Sequence, residues 1–160
     1  MPWTTALLIA LALLGAATVL GVLLRARSGR VVRSPGAAPT DASAADASPA
    51  DSAAAALGVD PASFGERITL VQFSTAYCSR CPATARLLGE LAAGSAGVRH
   101  LEIDLTDDPE LAARFAVLQT PTTLVLDAAG RQHARIGGPP RMNELVELVD
   151  SLTRRTSVTS

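Results

Sequence analysis

Two cysteines, Cys78 and Cys81, are the only thiols in a chain of 160 residues, and they stand three positions apart. At the opening of a helix that spacing puts their Cα atoms about 5–6 Å apart, so a disulfide can close and open without large backbone motion. There Cys78 would meet unpaired main-chain N–H groups and the positive end of the helix dipole, both of which favour thiolate. Cys81, one turn further in, is better buried and better suited to resolve a mixed disulfide. Arg80 adds positive charge between them, weakened by solvent screening, and Pro82 fits a first helical turn, where its missing N–H costs nothing. Two other readings stay open, half of a zinc site or two core cysteines. With two cysteines, neither a disulfide scaffold nor a four-thiolate zinc site can be built within one chain.

The surrounding pattern favours redox use. The run Ile68 to Phe73 is short, apolar and β-branched, as a buried strand is. From Cys81 through Ala92 the apolar residues Ala85, Leu87, Leu88, Leu91 and Ala92 recur at helical spacing, with Gly94 as the stop. The pair therefore sits between a strand and a helix. Val98 to Leu105 reads as a second strand. Asp107-Asp108-Pro109-Glu110 opens a helix whose body is Leu111 to Val117. Pro121 to Leu126 is a strand, Asp127 to Gly130 a turn, and Arg131 to Ile136 completes a hairpin. A last helix, Arg141 to Leu152, would bury Leu145, Val146, Leu148 and Val149. The order is that of an α/β domain with a parallel start and an antiparallel end.

The first third of the chain is of another kind. Ala6 to Leu24 is uncharged and mostly aliphatic; at about 1.5 Å per residue a helix of that length nearly spans a hydrocarbon core of roughly 30 Å. Trp3 stands at an interfacial position. A cleaved signal peptide is the competing reading, against which stand the absence of a basic n-region and of a prompt small-x-small cleavage site. Arg25, Arg27, Arg30 and Arg33 crowd the C-terminal flank, which by the positive-inside rule leaves the C-terminal domain in the cytoplasm. An extracytoplasmic domain is the alternative. From Ser34 to about Leu57 the composition is almost wholly Ala, Ser, Pro, Asp and Gly, too poor in apolar surface to offset the entropy of ordering. Disorder is expected there, with a root-mean-square reach on the order of 25–30 Å. The organisation is thus an N-terminal transmembrane anchor over 1–25, a basic flank and disordered linker over 26–60, and a folded domain over 61–155.

Net charge is −1, and the 14 basic residues are all arginine, scattered beyond Arg33. No basic face of the kind that neutralises phosphates is visible, which argues against a nucleic-acid partner.

The residues Val71-Gln72-Phe73-Ser74-Thr75-Ala76-Tyr77-Cys78-Ser79-Arg80-Cys81 and, forty positions later, Thr120-Pro121-Thr122-Thr123-Leu124-Val125-Leu126 resemble the thioredoxin family over roughly Arg67 to Leu152. The resemblance implies a thioredoxin-like mixed sheet flanked by helices, trimmed at its N-terminus because Gly58 to Glu66 is too short for a first strand and helix. It implies a cis Pro121 packed beside Cys78, Thr120 offering main-chain hydrogen bonds to an extended substrate, and Tyr77 as the flat aromatic beside the nucleophile where tryptophan is usual. The activity implied is exchange with protein or small-molecule disulfides, with Cys78 attacking and Cys81 resolving. No metal, nucleotide or flavin is implied, only the redox-active disulfide Cys78–Cys81 and an unidentified electron donor.

There are departures from the family pattern. Gln72 stands where many thioredoxins have a buried aspartate, and His100 where a lysine often accompanies it. His100 has two readings, a base or a structural residue, and His133 reads as solvent-facing. The Ser79-Arg80 dipeptide points to no particular partner. Alternative functions are an extracytoplasmic reductase of the cytochrome c assembly type, and a non-catalytic module binding a soft metal through the cysteines.

Overall fold

The structure, a computed structural model, describes residues 3–27, 29–33 and 49–158. Helix α1 runs Trp3–Arg27, strand β1 Val32–Arg33 and helix α2 Pro49–Leu57, followed by a single 3-10 turn at Pro61–Ser63. Then come β2 Ile68–Ser74, α3 Cys81–Ala93, β3 Val98–Asp104, α4 Pro109–Arg114, β4 Thr122–Asp127, β5 Gln132–Gly137 and α5 Met142–Val158. The strands form one mixed sheet in the order β1-β5-β4-β2-β3. β2 pairs parallel with β3 and antiparallel with β4, and β5 is antiparallel to both β4 and β1.

All seven residues of β2 are buried, including Thr69 and Gln72, as a central strand covered on both faces requires. On one face Ile68 and Leu70 meet Leu88 of α3 and Leu145, Leu148, Val149 and Leu152 of α5. On the other, Val71 and Phe73 meet Leu111 of α4, Leu57 of α2 and Ile103 of β3, and the Phe73 ring lies 5.3 Å from that of Phe115. The alternation of β2 side chains thus feeds two cores.

Two local expectations change. The α5 stripe is Leu145, Leu148, Val149 and Leu152, while Val146 is exposed, because a helix that long keeps only the i, i+3, i+4, i+7 positions against the sheet. Helix α4 stops at Arg114 rather than Val117: Ala116 takes φ 47°, and Arg135 of β5 donates to the carbonyls of Phe115 at 2.8 Å and Ala116 at 2.7 Å. Gly94 is the stop of α3, as expected, in right-handed geometry (φ −83°), and Gly97 has a positive φ. The start of α4 is as expected, with the Asp108 carboxylate accepting from the Leu111 N–H at 2.8 Å.

Part of the tract expected to be a linker is structured. Expected to run to residue 60, it instead gives way to α2, whose Ala53, Ala54 and Leu57 are buried in the domain. Alanine's high helix propensity and small volume let this tract pack against α4 despite its lack of large apolar side chains. A helix does precede β2, while β3 has β2 as its one partner strand among the described residues, as a domain trimmed of its first strand would. Upstream, β1 already joins the sheet, so the tract between Arg33 and Pro49 connects two parts of one packed unit rather than anchor and domain. Its residues 34–48, expected to be disordered, lie outside the described residues.

Replacing Leu88, which is fully buried in α3, by Ala is expected to cost about 2–5 kcal/mol, whereas Val146→Ala should cost well under about 1 kcal/mol. Urea unfolding of the two variants checks this reassigned apolar stripe, and equal losses would contradict it.

Candidate active site

The register of the central strands assembles the site. β2 ends at Ser74, and a turn in which Cys78 N–H donates to Thr75 O carries the chain to Cys78. Helix α3 begins at Cys81. Cys78 and Cys81 form a disulfide with Cα atoms 5.4 Å apart and sulfurs 2.11 Å apart, the geometry their spacing at a helix start allows. Cys78 is partly exposed and Cys81 only 2% exposed, so Cys78 is the more accessible residue of the pair. Arg80 is exposed at the N-cap of α3 and makes no side-chain cap bond; Pro82 falls in the first turn.

Phe73 lies opposite Thr122 in the β2–β4 ladder, which brings the segment before β4 beside the loop after β2. The Thr120–Pro121 peptide is cis, as the resemblance implied, and Pro121 is buried. Thr120 Oγ1 lies 3.3 Å from Thr75 Oγ1, a hydrogen bond tying the proline segment to the cysteine loop. Tyr77 is 90% exposed and Leu118 95% exposed, so the reactive end carries two uncovered apolar side chains. Thr75 and Leu118 had no signal in the sequence; only the fold puts them at the site.

Beneath Cys81 lies a polar network. The fully buried Gln72 amide donates to Cys81 O at 3.2 Å and to Glu102 Oε1 at 3.3 Å. Both of its donor directions being used, its carbonyl is left to accept from His100 Nε2, 3.2 Å away, so His100 carries its proton on Nε2. Burial lowers the His100 pKa below the ordinary value of 6.5, opposed by the negative charge of Glu102. The Thr123 hydroxyl, on the residue opposite Gln72 in the ladder, is buried without a hydrogen-bond partner.

At the opposite end of the sheet His133, expected to face solvent, is partly exposed and paired. Its Nε2 bonds the Asp127 carboxylate at 2.9 Å, which also accepts from the N–H groups of Ala129 and Arg131 and from Arg131 Nε. Burial raises the Asp127 pKa, but the bonds from His133 and Arg131 outweigh this and hold it below its usual value. That cluster organises the hairpin, far from the cysteines. Among the described residues no group of three or more His, Cys, Asp or Glu side chains is placed to hold a metal.

A mixed sheet between two helical layers, with a dithiol pair at a strand-to-helix junction and a cis-proline segment hydrogen-bonded to it, defines a disulfide-exchange protein. The sequence pattern of the thioredoxin family matches residues 62–151. Thioredoxin of Staphylococcus aureus is 32% identical over 84 residues, covering 52% of this chain and 80% of that protein. Among solved structures, a mutant thioredoxin from Halobacterium salinarum superposes with a TM-score of 0.49 at 23% identity, covering 55% of this chain and 76% of its own. Thioredoxin f from spinach chloroplast does so with a TM-score of 0.49 at 21% identity, covering 56% and 79%. The chain belongs to the thioredoxin family. It is a thiol-disulfide oxidoreductase, in a family that acts on protein disulfides and needs no cofactor beyond its own redox-active disulfide.

The depressed His100 pKa has a checkable sign. Between 6.5 and the lower folded value the unfolded chain binds more protons, so the stability present above pH 6.5 is lost as pH falls through that window. Unfolding midpoints measured from pH 8 down to pH 5 should fall more steeply for the native sequence than for His100→Gln; parallel curves would remove His100 from the account.

Proposed function

We propose that this chain is a membrane-tethered reductase of protein disulfides in which Cys78 is the attacking sulfur and Cys81 the resolving one. The observation that supports the roles is the difference in burial between the two cysteine residues of one disulfide. In the dithiol form the Cys78 thiolate attacks one sulfur of a substrate disulfide, forming a Cys78–substrate bond and expelling the other substrate sulfur as thiolate, which takes up a proton. Cys81 then gives up its proton and its sulfur attacks Cys78 Sγ. The second substrate sulfur leaves, and two electrons have passed from the pair to the substrate.

Gln72 cannot accept the Cys81 proton, being an amide. It acts as a positioning residue, holding the main chain of Cys81 through its carbonyl. Thr120, with the cis bond that follows it, offers an extended substrate chain an open main-chain edge, and Tyr77 an apolar flank. Arg80 favours the thiolate of Cys78 by its charge.

Tethering rests on α1. Ala6–Leu23 is long and apolar enough to cross a bilayer, and none of it is buried against the described chain. Arg25, Arg27, Arg30 and Arg33 follow it and support a cytoplasmic domain. Labelling of reduced Cys78 by a membrane-impermeant maleimide in intact cells tests the side; rapid labelling would reverse it.

Cys81→Ser is expected to accumulate mixed disulfides through Cys78 on non-reducing gels, while Cys78→Ser forms none. Each should lower turnover of a protein disulfide by at least about two orders of magnitude. If Cys81→Ser captures no partner, the attacking role of Cys78 is wrong.

A further inference from the structure

The path of the chain between the apolar helix and the sheet carries an inference about which disulfides this enzyme meets; it rests on the membrane reading of α1. Only Ser28 separates the end of α1 from Gly29, and Gly29 is already part of the domain. It is buried, its N–H donates to Gly137 O at 2.8 Å, and its carbonyl accepts from Arg141 N–H at 3.3 Å. Its φ is 78°, and a Cβ there would lie 2.5 Å from Pro139 O, so the close approach depends on glycine. Two residues on, Val31 N–H donates to Glu144 Oε2 at 3.3 Å and Val31 packs on the α3/α5 core. Val32 and Arg33 then pair with Arg135 and Ala134.

This strap enters at one particular end of the sheet. β5 runs in the same direction as β2, since both are antiparallel to β4. Its last residue, Gly137, lies opposite Thr122, and Thr122 opposite Phe73. The next residue, Gly138, donates to Pro121 O at 2.7 Å. Gly29 is therefore three strand spacings, about 15 Å, from Phe73, at the end that carries the cis-proline segment and the cysteine loop. The exposed Tyr77 and Leu118 are at that same end. A domain hung on a free tract of two dozen residues would wander about 25–30 Å; this one is held where its chain leaves the helix.

We propose that Gly29–Arg33 is a strap that holds the disulfide end of the domain at the bilayer surface, so that its substrates are disulfides carried close to that surface by integral membrane proteins. Tyr77 and Leu118 suit such partners, whose chains are rich in apolar and aromatic side chains where they leave the bilayer. Soluble protein disulfides, which spend little time within that short reach, are the poorer substrates.

The test uses the full chain in proteoliposomes, reduced beforehand, with two lipid-anchored peptide disulfides that release a fluorescent thiol. One lies flush with the headgroups and the other stands on a rigid helical spacer of about 50 Å. The flush probe should be reduced at least about tenfold faster, as expected for a confined effective concentration. A Gly/Ser spacer of some twenty residues inserted between Arg27 and Ser28 leaves the strap docked but lifts the domain, and should bring the two rates within about twofold. Gly29→Val, which undoes the strap, should do the same. Reduction of a small soluble disulfide should be unchanged in both variants, which shows that the domain is folded.

Equal rates for the two probes with the native chain, or a preference that survives the spacer, would overturn the proposal. Retention of the protein in vesicles after alkaline carbonate separates the two readings. A retained chain with equal rates sinks the strap alone, whereas a chain that washes off sinks the anchor and the strap together.

Discussion

Everything at the reactive end depends on the pairing of β2 with the strands on either side of it. The strand is buried along its whole length, so a slip of one residue would exchange the Ile68/Leu70/Gln72 face for the Thr69/Val71/Phe73 face and ruin both cores. With the register fixed, the end of β2 points the cysteine loop at the segment before β4, and Thr75 meets Thr120. The disulfide geometry is then a local matter of two residues at a helix start. Its proximity to the cis peptide is a global matter, decided by which residue of β4 faces Phe73.

The buried glutamine illustrates how an altered polar residue is accommodated in such a core. Gln72 spends both amide protons and its carbonyl on three partners in two elements, α3 through Cys81 and β3 through Glu102 and His100. A satisfied amide costs little there, whereas one left unpaired would cost the desolvation of its polar atoms. His100 is thus held as part of a network. Through Gln72 the hydrogen bonds connect two titratable groups, His100 and Glu102, to the main chain of Cys81, and the charge of Glu102 opposes the effect of burial on His100.

The N-terminal third changes meaning once the sheet is seen. Composition separates apolar helix, small-residue tract and folded domain, and suggests a domain on a loose leash. Backbone pairing rearranges that picture, because Gly29–Arg33 and α2 both pack on the domain and the tract falls between them. The physical reason is that main-chain hydrogen bonds along a sheet edge need no apolar side chains, and a glycine that allows close approach looks in the sequence like any other glycine.

Read alone, the residues determined the features that are local. A strand followed by CxxC and a helix, an Asp-Pro helix start, and a turn of Asp127 to Gly130 are each set by neighbours a few positions apart, and each formed close to where periodicity and capping place it. The family motifs added the cis peptide and the kind of chemistry. Tertiary structure decided the rest: that α4 ends early and Arg135 on a distant strand holds the carbonyls of Phe115 and Ala116 just beyond it, that Val146 turns outward while Leu152 turns in, that Tyr77 and Leu118 share one end with the sulfurs, and that the chain leaves the apolar helix at that same end. Such facts depend on contacts between positions as far as 113 residues apart, and no spacing along the chain encodes them; they follow only when the buried faces of the sheet have chosen their partners.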